Sequence, residues 1–201
     1  MIAAAHPFDL TGRRALVTGG GSGLGFAIAR GLARAGSRVV LNGRNRDKLA
    51  QAAEALAREG IDAGLAPFDV TDADAVAEGV ARVESAVGPI DILVNNAAMN
   101  QRKALEQFTP DEWRALMAAN LAGPFLVTRA LLPAMKARRS GKIINVCSLA
   151  SDLGRPNIVP YAASQGALLM LTRALAVELA PSNIQVNGIS PGFFRTEMNA
   201  P

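Results

Sequence analysis

Three polar side chains between positions 148 and 165 have types and spacing suited to proton transfer. Ser148 ends an apolar run that begins at Lys142, and Tyr161, the only tyrosine, lies just inside a predicted helix. Gln165 follows Tyr161 by one helical turn, so both side chains should project from one face. A hydroxyl at a strand end, a phenol on a helix and a third polar group can form a proton-transfer set. A loop serine and an ordinary surface tyrosine are the alternative.

Length and residue counts narrow the possible classes of protein. A chain of 201 residues fits one domain, and we expect residues 1–201 to form a single one. The one cysteine, Cys147, has no partner for an internal disulfide, which favours the reducing cytoplasm. With a single histidine, His6, near the N-terminus, no metal site is expected.

Charge and hydropathy argue against nucleic-acid and membrane partners. The net charge is +4, but the basic residues are scattered and aromatic residues are few, so nucleic-acid binding is not expected. No run of 18 or more apolar residues occurs, which predicts no transmembrane helix. The N-terminus lacks the basic and apolar regions of a secretion signal.

Short apolar segments alternate with segments of helical periodicity along the chain. The predicted strands are 14–18, 38–42, 63–70, 90–95, 142–146 and 185–189. The predicted helices are 23–35, 47–59, 71–87, 109–138 with a bend at Gly123-Pro124, and 161–180. Apolar strands separated by helices are typical of a parallel sheet covered on both faces. We therefore predict an α/β fold with a doubly wound parallel sheet.

A glycine-rich segment between the first strand and the first helix predicts a nucleotide site. Its glycines at 19, 23 and 25 would let the backbone approach a pyrophosphate, which the helix N-terminus attracts. The expected contacts are Gly19, Gly21, Ser22, Gly23 and Leu24. A merely tight turn is the alternative, since the strict G-x-G-x-x-G spacing fails at Leu24.

The end of the second predicted strand favours NADP over NAD. NAD-binding proteins usually carry an acidic residue about 20 positions after the glycines. Here the segment is Asn42-Gly-Arg-Asn45, in which Arg44 is able to contact a 2′-phosphate. NAD remains possible, because Ser22 supplies no second positive charge and Arg44 is otherwise an ordinary solvated arginine.

Six ordered motifs resemble the short-chain dehydrogenase/reductase family, whose fold is three-layered and Rossmann-like. The motifs are Thr18–Gly25, Asp69-Val70, Asn95–Ala98, Asn120, Ser148 with Tyr161, and Pro191-Gly192 with Thr196. The resemblance implies that Tyr161 exchanges the proton and that Ser148 holds the substrate oxygen. It implies that Asn120 caps backbone groups and holds a relay water. Cofactor contacts are implied at Asp69, Val70, Asn96, Tyr161, Gln165, Gly192 and Thr196.

Within that family, segments 39–45, 68–72 and 192–198 are most similar to gluconate 5-dehydrogenases. The resemblance implies an oxidoreductase that transfers a hydride between NADP(H) and a secondary alcohol or ketone, such as a sugar acid or another polyol. Arg102 is our candidate partner for a substrate carboxylate, with a solvated loop arginine as the alternative. A homo-oligomer is implied for the intact family form.

Two features depart from the family pattern. Gln165 stands where the family has a lysine that binds the cofactor ribose and stabilises the tyrosinate. Glutamine lacks the charge, so we expect the phenolate fraction at neutral pH to fall by roughly 10- to 1000-fold. The family also continues past Thr196 with lid helices and a last strand, so we expect an exposed edge at the sixth strand. A catalytically impaired nucleotide-binding homologue with a binding or regulatory role is therefore the rival hypothesis.

Overall fold

The computed structural model describes residues 8–194, which contain one six-stranded parallel sheet with the order β3-β2-β1-β4-β5-β6. The strands are β1 (Arg14–Val17), β2 (Arg38–Gly43), β3 (Ala63–Pro67), β4 (Ile92–Asn95), β5 (Gly141–Val146) and β6 (Ile184–Ile189). The helices are α1 (Gly23–Arg34), α2 (Arg46–Ala57), α3 (Ala73–Val87), α4 (Pro110–Met117), α5 (Gly123–Ala137) and α6 (Val159–Leu179). The predicted doubly wound α/β fold is confirmed.

Two hydrophobic clusters cover opposite faces of the sheet. Alternate strand residues point to opposite sides, so Leu16 and Leu93 enter one cluster while Val17 and Val94 enter the other. The first cluster holds buried residues of α3, α5 and α6, and the second holds those of α1 and α2. Because both sheet faces are buried, the strands are apolar throughout, which explains the sequence pattern.

The winding reverses at β1, which pairs with β2 on one side and with β4 on the other. In sheets of this kind a crevice opens outside the carboxyl ends of the strands where the winding reverses. The loops after β1 and β4 therefore separate to opposite faces and leave space between them.

Strand β3 is shorter than predicted. Its last pair is Gly43 with Pro67, whereas the sequence pattern suggested a strand to Val70. Proline has no N–H to continue the ladder. The backbone leaves the sheet there, and residues 68–70 contribute to the cavity wall described below.

The long predicted helix 109–138 is interrupted by a π-helical turn. Its predicted capping box is present, because Thr109 Oγ1 accepts from Glu112 N while Glu112 Oε2 accepts from Thr109 N. Residues Ala118–Ala122 then form the π turn, before the expected bend at Gly123-Pro124. Gly123 packs on Val70, where a Cβ would lie 2.9 Å from Cγ2. The extra residue of the turn places Asn120 toward the protein interior.

The combined helical segment Pro110–Ala137 is apolar and long enough to span a membrane by length and composition alone. The expectation of no such segment was wrong, because it required an uninterrupted apolar run and this one contains scattered polar residues such as Asn120 and Thr128. Buried core helices have the same composition. Here Val127, Leu131 and Met135 are fully buried against the sheet and α3.

The contact between α3 and Phe68 predicts a large effect for one added methyl group. A Cβ at Gly79 would lie 2.3 Å from Phe68 Cδ1, which is impossible without displacing the buried ring. We expect Gly79→Ala to lower the free energy of unfolding by about 1–3 kcal/mol in urea titrations.

Gly31→Ala is the matched control, since Gly31 lies exposed within α1 and an added Cβ meets nothing within 4 Å. We expect that substitution to stabilise the protein by up to about 1 kcal/mol through helix propensity. Equal stabilisation by both substitutions would show that Phe68 is not tightly packed on α3.

Candidate active site

A cavity of about 1130 Å³ lies at the carboxyl end of the sheet. Residues after five strands and the start of α6 form its wall, together with residues 191–194 after β6. Its volume exceeds that of a typical site for one drug-sized ligand and suits a dinucleotide with a second small molecule.

The glycine-rich loop forms one end of the wall. Gly19 and Gly23 have positive φ angles of 63° and 54°, which favour glycine. A Cβ at Gly25 would lie 2.3 Å from Gly19 O, so only glycine lets the loop pack this closely on α1. The predicted contacts Gly19, Ser22, Gly23 and Leu24 line the cavity. Gly21 packs against Leu49 and is not on the wall.

Asn96 connects the glycine-rich loop to β4. Its Nδ2 donates to the carbonyls of Thr18 at 3.0 Å and Gly19 at 3.3 Å. In return Thr18 Oγ1 accepts from the backbone N–H groups of Asn96 and Ala97, both at 3.0 Å. Asn96 also lines the cavity, so the predicted cofactor residue both supports the loop and faces the ligand space.

Arg44 and Asp69 form an ion pair of 3.7 Å at the edge of the cavity. Burial opposes the charge of Asp69, but hydrogen bonds from Thr71 and the charge of Arg44 outweigh it and lower the pKa of that carboxyl. Val70 lies beside the pair on the wall. The Arg44 side chain is 79% exposed, so its N–H groups are accessible to a ligand.

Asn120 joins three parts of the fold at the π turn. Its Oδ1 accepts from Met99 N at 2.8 Å, and its Nδ2 donates to Met99 O at 2.9 Å and to Ser164 Oγ at 3.0 Å. Ser164 Oγ donates to the carbonyl of Tyr161 at 2.7 Å. Asn120 therefore caps backbone groups as expected. It also fixes the first turn of α6, from which Tyr161 projects.

Ser148, Tyr161 and Gln165 lie together on the cavity wall. Ser148 Oγ accepts from Ala150 N at 3.1 Å, which orients the hydroxyl while leaving its proton available. Gln165 is 1% exposed, and its Oε1 has no hydrogen-bond partner within residues 8–194. A buried amide oxygen without a partner is costly, so a ligand hydroxyl in the cavity would satisfy it.

Positive charge predominates on the wall. Among the described residues that line it, three are arginines, Arg44, Arg102 and Arg155, and one is acidic, Asp69. Arg102 is exposed and has no ion-pair partner within residues 8–194. The Arg155 guanidinium lies 4.8 Å from the centre of the Phe193 ring. The cavity is therefore suited to anionic ligands.

Three wall or support residues escaped the sequence analysis. Ser164, which connects Asn120 to Tyr161, has a helical spacing of three from Tyr161 that would have revealed it. Arg155 lies between Ser148 and Tyr161 in the sequence, and only its charge pointed to a functional role. Asn100 lines the cavity with a buried Oδ1 that has no partner in the described part of the chain.

Cys147 also borders the cavity but is not suited to nucleophilic chemistry. Burial raises the pKa of its thiol, so the group stays protonated at neutral pH. Of the last predicted contacts, Gly192 lines the cavity, and Thr196 lies outside the described residues. No group of three or more potential metal ligands occurs within residues 8–194.

The wall residues fit a dinucleotide. The glycine-rich loop offers a close approach to the N-terminus of α1, whose N-cap residue Ser22 makes no side-chain capping bond. Arg44 follows β2 on the wall, and Gln165, with its buried unpartnered oxygen, lines the same cavity. These features suit the phosphate and hydroxyl groups of such a ligand.

Comparison with known proteins decides the family. The model of the family described as short chain dehydrogenase matches residues 13–201. The chain belongs to the short-chain dehydrogenase family. Its similarity to individual members of that family extends along most of its length.

Two curated members and one solved structure illustrate the similarity. Gluconate 5-dehydrogenase of Gluconobacter oxydans is 48% identical, over 96% of this chain and 77% of that protein. The 5-keto-D-gluconate 5-reductase of Escherichia coli K12 is 46% identical, over 95% of this chain and 75% of that protein. The crystal structure of a gluconate 5-dehydrogenase from Burkholderia cenocepacia, in complex with NADP and tartrate, is 49% identical with a TM-score of 0.91. That alignment covers 96% of this chain and 75% of the solved one.

The hydrogen bonds of Asn120 predict a graded loss of stability. Asn120→Ala removes the partner of both backbone groups of Met99, so we expect the free energy of unfolding in urea to fall by about 1–3 kcal/mol. Ser164→Ala is the matched control, since it leaves the Met99 bonds in place and should cost about 1 kcal/mol. An equal loss in both variants would contradict a dominant role for the Met99 pair.

Proposed function

We propose that the chain is an NADP(H)-linked oxidoreductase that interconverts a secondary alcohol and a ketone in a gluconate-like sugar acid. The observation that carries the proposal is the Ser148–Tyr161 pair on the wall of a dinucleotide-sized cavity with three arginines. The names of the related proteins support the substrate class, because gluconate and 5-keto-D-gluconate differ by this oxidation. A bound NADP in a structure 49% identical supports the cofactor.

The cofactor would lie between the glycine-rich loop and Gln165. Its pyrophosphate would meet the N-terminus of α1 near Ser22 and Gly23, and its adenine would lie beside Asp69 and Val70. Arg44 would exchange part of its contact with Asp69 for the 2′-phosphate, to which a guanidinium binds more strongly than to an exposed carboxylate.

The chain's own residues would bind the substrate and move its proton. When bound, NADP would supply the hydride acceptor for oxidation of the alcohol carbon. In oxidation, Tyr161 would take the proton of the substrate hydroxyl. In reduction, it would return a proton to the ketone oxygen. Ser148 would donate a hydrogen bond to the substrate oxygen and hold that oxygen against Tyr161. Asn120 would hold a relay water near this pair while it fixes the start of α6.

The substrate carboxylate requires a cation at the opposite end from the cofactor phosphates. Arg102 follows β4 and lines the cavity without an ion-pair partner in the described chain. Its guanidinium is able to form a bidentate pair with a carboxylate. We therefore assign Arg102 to substrate binding.

Gln165 supports a second function, a nucleotide-binding protein with impaired catalysis. Its Oε1 would accept a hydrogen bond from a ribose hydroxyl, which retains cofactor binding. Its uncharged side chain gives no electrostatic support to a tyrosinate. In that case the protein would act through binding or regulation, and turnover would be slow.

We further propose a cytoplasmic location and a homo-oligomer for the enzyme. The free and buried thiol of Cys147 suits a reducing compartment. The homo-oligomer is proposed for the form that contains the C-terminal elements of the family, as the resemblance implies. We place no nucleic acid or membrane among its partners.

A positive charge introduced at position 165 distinguishes the oxidoreductase from the nucleotide-binding protein with impaired catalysis. We expect Gln165→Lys to raise gluconate-dependent reduction of NADP at neutral pH by roughly 10- to 1000-fold, through stabilisation of the phenolate. Kinetics would be measured together with NADP dissociation constants in both proteins.

Gln51→Lys adds the same charge on the exposed face of α2 and should leave turnover unchanged. Wild-type turnover equal to that of Gln165→Lys would remove the case for impaired catalysis. Tight NADP binding without turnover in either protein would instead favour the binding function.

Arg44 should discriminate between the two nicotinamide dinucleotides. We expect Arg44→Ala to weaken NADP binding by roughly 10-fold and to leave NAD binding within about twofold, since only NADP offers a 2′-phosphate. Titration calorimetry with both dinucleotides would measure this difference. Arg46→Ala is the control, because Arg46 is exposed at the start of α2 and does not line the cavity. Equal loss of NAD and NADP binding would contradict the assignment.

A further inference from the structure

Arg155 combines three features that no assigned role explains. It lies between β5 and α6 on the cavity wall that also holds Ser148 and Tyr161. Its guanidinium stacks on Phe193 at 4.8 Å. It forms no ion pair with any residue from 8 to 194, although arginine side chains on a protein surface often find one. A charge held in place beside a reaction site without a counter-ion favours an anionic ligand.

The Arg155 guanidinium lies over the Phe193 ring and donates no hydrogen bond within residues 8–194, so its N–H groups are free. An arginine on an aromatic ring uses the flat face of its planar group, whereas its N–H donors point outward in that plane. Phe193 therefore restrains Arg155 without using its hydrogen-bond donors. The two oxygens of a carboxylate are spaced to accept hydrogen bonds from two of those N–H groups at once.

Arg155 also lies on the same side of the cavity as Arg102. The backbone N–H of Lys103 donates to the carbonyl of Asn157 at 3.0 Å, and this bond joins the loop after β4 to the loop before α6. Each arginine is within two residues of that bond. The only acidic residue among those lining the described cavity, Asp69, is already paired with Arg44. No wall carboxylate therefore competes for Arg155.

We propose that Arg155 binds the substrate carboxylate together with Arg102, and that Phe193 positions the Arg155 guanidinium for this contact. The inference rests on the proposed function, since it names the group that selects a sugar acid over a neutral polyol. Arg155 is a specificity-determining residue in this scheme, and Phe193 is a positioning residue. The hydroxyl of the substrate that reacts lies between Ser148 and Tyr161.

The test uses a complex that cannot turn over. NADPH and D-gluconate are both in the reduced state, so their ternary complex with the full chain is stable, and NADPH fluorescence reports binding. We expect Arg155→Gln to raise the dissociation constant of D-gluconate by about 10- to 100-fold, the loss typical of a charged hydrogen-bonded contact. NADPH affinity should stay within about twofold, which also verifies folding.

Two further variants make the outcome specific. Phe193→Leu should weaken D-gluconate binding by about 2- to 10-fold, because the cation–π contact with Arg155 is lost. Arg173→Gln removes an exposed arginine of α6 outside the cavity and should change neither affinity. D-glucitol, the neutral polyol of the same length, should bind wild type and Arg155→Gln equally.

Each result bears on one hypothesis. Equal affinity of wild type and Arg155→Gln for D-gluconate would overturn the role of Arg155 and leave the proposed function intact. NADPH binding by wild type without any response to D-gluconate would overturn the proposed substrate class and this inference together. A parallel loss of D-gluconate affinity in Arg173→Gln would show a general charge effect and would also overturn the specific contact.

Discussion

The geometry of the site depends on a set of hydrogen bonds between β1 and β4. Thr18 Oγ1 accepts from two backbone N–H groups after β4, while Asn96 Nδ2 donates to carbonyls of the glycine-rich loop. Two parallel strands would otherwise release their loops in different directions at the point where the winding reverses. These bonds hold both loops at one edge of the cavity, so the glycine-rich loop and the residues after β4 keep fixed relative positions.

A second buried network extends this rigidity to the two proposed catalytic residues, Ser148 and Tyr161. Asn95 Nδ2 donates to Asn145 Oδ1 at 2.9 Å, and Asn145 Nδ2 donates to Thr172 Oγ1 at 2.8 Å. The three side chains come from β4, β5 and α6, and all are buried. Buried hydrogen bonds of this kind fix relative positions more strictly than apolar contacts do, and here only Asn95 Oδ1 among the network atoms has no partner within residues 8–194. Ser148 follows β5 and Tyr161 begins α6, so the network and Asn120 together set their separation.

Most of the fold followed from the sequence because both sheet faces are buried. That burial makes every strand an apolar run, and the helices between them keep a period of 3.6 residues. The exceptions are local. The π turn at 118–122 arises from tertiary contacts of Asn120 with Met99 and Ser164, which no pattern of hydropathy records. Strand β3 ends at Pro67, where the missing N–H outweighed the apolar run beyond it.

The site was predictable to the extent that it depends on motifs. Ser148 and Tyr161 followed from their spacing, and the glycine-rich loop followed from its place between β1 and α1. Arg155 was not predictable, because its significance lies in a contact with Phe193 nearly 40 positions later in the chain. The unpartnered oxygen of Gln165 was equally hidden, since only burial turns an ordinary amide into an unsatisfied one.

The distribution of charge separates binding from chemistry in this chain. In the proposed function Arg44 binds the nucleotide, and Arg102 and Arg155, on the two joined loops, bind the substrate carboxylate. The position one turn after Tyr161 carries no charge at all. Coulomb interactions weaken with distance and with solvent exposure. Exposed arginines therefore stabilise a tyrosinate less than a buried cation beside the phenol would. We therefore expect affinity for anionic ligands and activation of Tyr161 to depend on different residues. A neutral residue at position 165 leaves the wall charges of Arg44, Arg102 and Arg155 unchanged, so it should affect the chemical step more than ligand binding.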